Sequence, residues 1–131
     1  MAKKLILGSL AVFIAWVVLD TTMHGLILGS TYKAEKYASI WRAEMKMWLI
    51  YLVVLVSAVT FTYIYVQFFA TKGMNTGIKY GIIFGIGAGI SMGYGSYATM
   101  NIPYYMALTW FLGTLVEATV GGLLLGIIVK D

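Results

Sequence analysis

Four stretches of this 131-residue chain are long and apolar enough to cross a bilayer, and they leave little of it over. A membrane-crossing helix needs about 20 mostly apolar residues, and windows at about 5–30, 45–70, 77–100 and 103–129 meet that requirement. The second window, rich in β-branched and aromatic residues, would favour a strand in water. In lipid a single strand leaves its backbone groups unpaired, so helix is expected there too. A composition that is 61% hydrophobic and only 11% charged excludes an ordinary soluble domain. The expected fold is therefore all-α: one domain, residues 1–131, a four-transmembrane-helix bundle of two antiparallel hairpins with an interfacial loop between helices one and two. The start, "MAKKLILGSL", resembles a signal peptide in its charge and apolar run, but no cleavage site follows, and it is read as part of helix one.

Helix three carries the most regular pattern. Gly77, Gly81, Gly85, Gly89 and Gly93, with Gly73 before them, recur at every fourth residue. That spacing lays them along one inclined ridge, and a ridge without side chains lets another helix come close, as small-xxx-small motifs do in membranes. The short "NIPYY" turn makes helices three and four neighbours, with Asn101 placed to cap and Pro103 in a first helical turn. The loop "STYKAEKYASIWRAEMKMW" holds Tyr32, Trp41, Arg42 and Trp48, the amphipathic and cationic groups that favour a head-group layer. Five lysines (Lys3, Lys4, Lys72, Lys79, Lys130) fall on the side of the termini, and Lys33, Lys36, Arg42 and Lys46 on the other. By the positive-inside rule this narrowly favours both termini in the cytoplasm of a bacterial inner membrane.

Three ionisable residues lie deep within the apolar windows: Asp20, His24 and Glu117. Asp20 and His24 are four apart and share a helix face. At 1.5 Å per residue, Asp20 and Glu117 reach similar depths from the same membrane face. Charged groups at that depth face the bundle interior and mark function by default. Three readings stay open. The groups cement a polar core by bonding to Thr21, Thr22, Thr114, Thr119, Ser91 or Tyr94; they handle protons or ions; or they ligate a metal, haem or quinone, for which Asp20, His24 and Glu117 supply donors of suitable type but no known spacing. Met23, Met45, Met47, Met100 and Met106 gather toward the far side, and thioethers suit copper. The matches between "VLDTTMHGLILG" (18–29) and "LVEATVGGLLLG" (115–126) set Asp20 beside Glu117 as in an inverted repeat.

Asp20, His24-Gly25 and Tyr32, the glycine ladder leading to "GYGSYATMNIP", and "LTWFLGTLVEATVGG" together resemble a family of small bacterial four-helix integral membrane proteins, a domain of unknown function. The likeness spans nearly the whole chain. It implies that Asp20, His24, Gly25, Trp110, Glu117 and Gly121 or Gly122 occupy the family's polar and glycine positions. Ala98 stands after Tyr97 where the family pattern expects an aspartate. The resemblance implies architecture and not activity.

Without cysteine there is no thiolate metal site, disulfide or cysteine nucleophile. "GIGAG" lacks the strand and acidic residue of a dinucleotide fingerprint, and no other catalytic motif is present. With no basic stripe interleaved with aromatics, nucleic acid is not an expected partner. The expected function is non-enzymatic: an accessory or structural subunit of a larger membrane complex, or a homo-oligomer, packed through the glycine ridge, with the bilayer and other membrane subunits as partners. The alternative is a small transporter, or a metal-, haem- or quinone-binding protein, using Asp20, His24 and Glu117. The identity of any cofactor is unknown from sequence.

Overall fold

The structure, a computed structural model, describes residues 2–130. Helix α1 (Ala2–Thr21) continues through a π-turn (Thr22–Ile27) into the short α2 (Gly29–Lys33) and a 3-10 turn (Glu35–Ile40). Then follow α3 (Met47–Phe68), α4 (Met74–Ile90), a second π-turn (Ser91–Gly95), α5 (Ser96–Thr99) and α6 (Tyr104–Ile128). Among the described residues there is no strand. Three helices are long and apolar enough to cross a membrane: Ala2–Ile27, Met47–Phe68 and Tyr104–Ile128. None of these has an amphipathic stripe, as expected where the surrounding solvent is itself apolar. The third apolar window falls on α4, whose 17 residues begin earlier than expected and run into the second π-turn.

The glycines explain how α4 sits. A side chain at Gly77 would collide with the Gly122 carbonyl of α6, and one at Gly122 with the Gly77 carbonyl, so each backbone fills the space the other leaves empty. Up the ladder, Gly81 meets Ala118, Gly85 the Leu115 Cα (3.0 Å), Gly89 the Phe111 carbonyl (2.9 Å) and Gly93 the Ala107 carbonyl (2.5 Å), all measured from where a Cβ would stand. As the glycine number rises the partner number falls, so α4 and α6 run in opposite directions. The ridge is thus spent within the chain, on α6.

α1 lies on the other side of α6, its first turn beside the end of α6, where the Lys4 ammonium donates to the Lys130 carbonyl at 3.0 Å. α3 packs along α1 through Ala58, Phe61, Thr62 and Tyr65, all in its second half. Phe61 stacks on Tyr80 of α4 (4.4 Å between centroids) and tilts against Trp16 of α1 (5.1 Å). Rings therefore fill the wide gap between α3 and α4, whereas glycines close the narrow one between α4 and α6. The turn joining α3 to α4 is tied by Tyr65, whose hydroxyl accepts from the Gly73 N–H (2.9 Å) and donates to the Gly73 carbonyl (3.1 Å). Gly73 has φ +127°, a conformation open to glycine and rarely to other residues.

A second apolar cluster lies at the far end. There Leu28, Tyr32, Ile40 and Trp41 fold over Ile102, Met106, Ala107 and Trp110 at the start of α6. The expected interfacial loop is this cap. Pro103 stands just before the first turn of α6, with φ −71° and ψ 152°, and no side chain caps that helix, Asn101 included.

Candidate functional site

The polar residues of α1 and α6 converge where the two helices touch. Trp16 donates its indole N–H to the Glu117 carbonyl at 2.6 Å, and Gly121 makes room, since a Cβ there would stand 3.0 Å from that indole nitrogen. One turn along, the Asp20 carboxyl lies within hydrogen-bonding reach of the Glu117 carboxyl. Glu117 Oε1 is buried and has no hydrogen-bond partner among the described residues. Two carboxylates cannot both hold charge cheaply at such contact, and a proton between them turns repulsion into a hydrogen bond.

His24 is carried elsewhere by the π-turn. Thr21 and Thr22 bond back to the Val17 and Val18 carbonyls (2.8 and 2.9 Å), a pattern that loosens and bends a helix. The next turn widens until the Leu28 N–H reaches the Met23 carbonyl. In that wider turn the His24 ring stacks on Tyr32 (5.7 Å, 23°) with Nδ1 2.6 Å from the phenol oxygen. The same oxygen accepts from the Trp110 indole N–H at 2.7 Å. An indole nitrogen only donates, so the arrangement that pairs these three groups has the phenol O–H donating to His24 Nδ1, with the ring neutral and its own proton on Nε2. The tautomer is assigned from this network.

Trp41 closes the array, edge-on to Tyr32 (4.9 Å) and to Trp110 (6.4 Å). Beside it His24, Gly25, Gly29, Tyr32, Lys33, Ala38, Trp41 and Met45 line an open cleft of about 370 Å³. Burial is the main reason the Tyr32 phenol is pushed up from 10.0 to about 12; the Asp20 charge adds to this and the Trp110 hydrogen bond opposes it.

The expected residues therefore divide. Asp20 and Glu117 meet directly, while His24 joins a hydrogen-bonded array with Tyr32 and Trp110 near that pair, and Trp41 packs edge-on against it with its indole N–H unpaired among the described residues. Among the described residues no three His, Asp or Glu side chains gather closely enough to hold a metal ion, Asp20, His24 and Glu117 included. Met23 and Met106 are core residues, while Met45, Met47 and Met100 are exposed. The Thr21, Thr22 and Thr119 hydroxyls bond to their own helix carbonyls, and Tyr94 pairs with Tyr104, so none of these serves the ionisable groups. Arg42 and Trp48 are exposed and stand outside the array. The likeness between residues 18–29 and 115–126 does not extend to the backbone, since 22–27 is a π-turn and the matched 119–124 regular α-helix.

Trp16, one turn before Asp20 on the same face, and Trp110, one of the positions the resemblance marks, are the partners whose acceptors, the Glu117 carbonyl and the Tyr32 phenol, only the structure supplies. The available signal was their indole N–H, which needs an acceptor wherever water is absent. Compared with known proteins, the chain matches no family model, no curated protein and no solved structure.

Proposed function

We propose that this chain is a small, non-enzymatic integral membrane protein, with four crossing segments in two antiparallel hairpins, that handles protons at the Asp20–Glu117 pair. The observation that carries the reading is the contact between two carboxyls on neighbouring apolar helices, Asp20 in the last turn of α1 and Glu117 at the middle of α6, with one oxygen of Glu117 buried and unpaired. Intramembrane acids are expensive and mark proton or ion pathways. His24 and Tyr32, hydrogen-bonded to each other, line the open cleft and stand near enough to Asp20 to feel its charge. The reading is that of a small transporter or a proton-linked subunit. Its setting is a bacterial inner membrane, and the lysines at Lys3, Lys4, Lys72, Lys79 and Lys130 favour cytoplasmic termini.

Proteoliposomes enclosing a pH-sensitive dye test it. Under an imposed potential the protein should admit protons, Glu117→Gln should abolish the flux, and the helical circular dichroism of the variant should match the parent. A parent protein that moves no protons, or a Glu117→Gln variant as active as the parent, overturns the reading.

A second reading, an accessory subunit or homo-oligomer, is favoured by α3. From Met47 to Ser57 its residues are exposed on nearly every side, Trp48 at 65% and Val53 at 55% among them, with only Val54 half-buried. The glycine ridge, being covered by α6, does not support this reading.

A further inference from the structure

The cleft beside the array offers an occupant chemistry that the carboxyl pair does not use. Its volume, about 370 Å³, lies within the range of small-ligand sites, and its side chains divide into donors and apolar surface. Because the Tyr32 O–H donates to His24 Nδ1, the imidazole carries its own proton on Nε2. That Nε2 has no partner among the described residues and is not buried. With His24 on the cleft wall, its N–H is free to bond an occupant. Lys33, exposed on the same wall and bonded to none of the described residues, brings a second donor. The Tyr32 hydroxyl is already spent on His24 and Trp110, which leaves the weak Met45 thioether as the one acceptor among the lining side chains. Tyr32 and Trp41 supply ring surface, and at Gly25 even an added Cβ would meet nothing within 4 Å. Apolar surface continues outward from Gly25, with Leu26 at 82% and Ile27 at 47% exposure.

We propose that this cleft binds the head of a membrane quinone, its carbonyl oxygens accepting from His24 Nε2–H and the Lys33 ammonium, its ring beside Tyr32 and Trp41, and its tail leaving over Leu26 and Ile27. The lining chooses the occupant. Donors without strong acceptors call for an acceptor, and a metal ion would need the Nε2 lone pair that the Tyr32 bond has turned into an N–H. A free anion would meet the charge of Asp20, which reaches both His24 and Tyr32. It would also meet Glu35 and Glu44, which stand in the cap two places after Lys33 and one before Met45 and offset the lysine. A quinone joins carbonyl acceptors, no charge, a flat ring and an apolar tail in one molecule. The proposal rests on the chain being in a membrane and not on its handling protons.

The test is native mass spectrometry of the protein released from nanodiscs loaded with decylubiquinone. A single quinone should be retained on each chain, in preference to decylbenzene, which has a ring and tail but no carbonyl. His24→Leu and Lys33→Met should each lower retention about fivefold, the worth of one hydrogen bond. His24→Gln, whose amide presents an N–H, should keep most of it. Lys36→Met, a cap lysine outside the cleft and over the Tyr37 ring, should leave it unchanged, as should Glu117→Gln, so that quinone binding and proton flux fail separately. Circular dichroism confirms that the variants compared are folded. Equal retention of decylbenzene, or parent-like retention by His24→Leu and Lys33→Met, overturns the proposal. A His24→Gln variant that retains no more than His24→Leu assigns the loss to the array and not to the N–H, and overturns it too. Stronger retention of decanoate than of decylubiquinone would show an anion site and rejects the quinone as occupant.

Discussion

One oxygen, the phenol of Tyr32, sets the hydrogen bonding of three side chains. It accepts from Trp110 and lies 2.6 Å from His24 Nδ1. Tyr32→Phe leaves the indole N–H and the imidazole nitrogen without that partner, and should lower stability by about 1–3 kcal/mol, the usual penalty for an orphaned buried polar group, read as thermal unfolding in detergent. The same residue gives an alkaline signature. The folded phenol keeps its proton to about 12, against 10.0 in an ordinary setting. Its contribution is therefore complete below about pH 10 and fades as pH rises toward 12, because there the folded state holds a proton that the unfolded state has released. Tyr32→Phe should remove that part of the alkaline decline, and tyrosinate absorbance should show one phenol fewer titrating late. In the sequence Tyr32 is visible as a belt aromatic. Its partner is not, because Trp110 is 78 positions away and no local periodicity links them.

At the scale of elements, the glycine ladder and the π-turns differ in how far the sequence exposes them. The ladder is periodic, and a period of four is a statement about one helix face, so its packing role is legible without knowing what covers it. What it packs against is settled by α6, whose Gly122 and Gly126 offer matching gaps. Gly85→Leu or Gly89→Leu should therefore unfold the hairpin and not merely dissociate an assembly. Gly81→Ala, aimed at the Ala118 carbonyl, should cost about 1–3 kcal/mol through forced backbone shifts. Gly87→Ala, with nothing within 4 Å of the new Cβ, should instead gain roughly 0.5–1 kcal/mol from reduced backbone freedom in the unfolded chain. Thermal melts of these variants in one detergent check the contrast. The π-turn at Thr22–Ile27 has no such period. It follows from two threonines bonding back to carbonyls and from the pull of Tyr32 on His24, and only the first of these is local.

At the scale of the whole molecule, the four long helical runs are joined unequally. α4 and α6 are in backbone contact, α1 packs on both α6 and α3, and α3 meets α4 through stacked rings and the hydrogen bond that the Tyr80 hydroxyl donates to the Phe61 carbonyl (2.7 Å). The first half of α3 consequently stands away from its neighbours. If a second subunit covers it, a cysteine introduced by Val53→Cys, in a chain that otherwise has none, should form a cross-linked product in native membranes. Ile83→Cys, on the still more exposed outer face of α4 (71% against 55% at Val53), should not. Identical behaviour of the two would leave lipid as the cover for both and count against the subunit reading.

By itself the sequence determined that this chain is helical and apolar, with acids inside apolar windows and glycines on one face, because each of those is a property of a single segment in a solvent that cannot hydrogen-bond. The tertiary structure decided what each segment meets. It gave the glycine ridge to α6, set Glu117 against Asp20, and turned His24 aside to Tyr32 and Trp110. Those pairings join residues tens of positions apart, and they depend on how closely two backbones approach, which no pattern within either segment encodes.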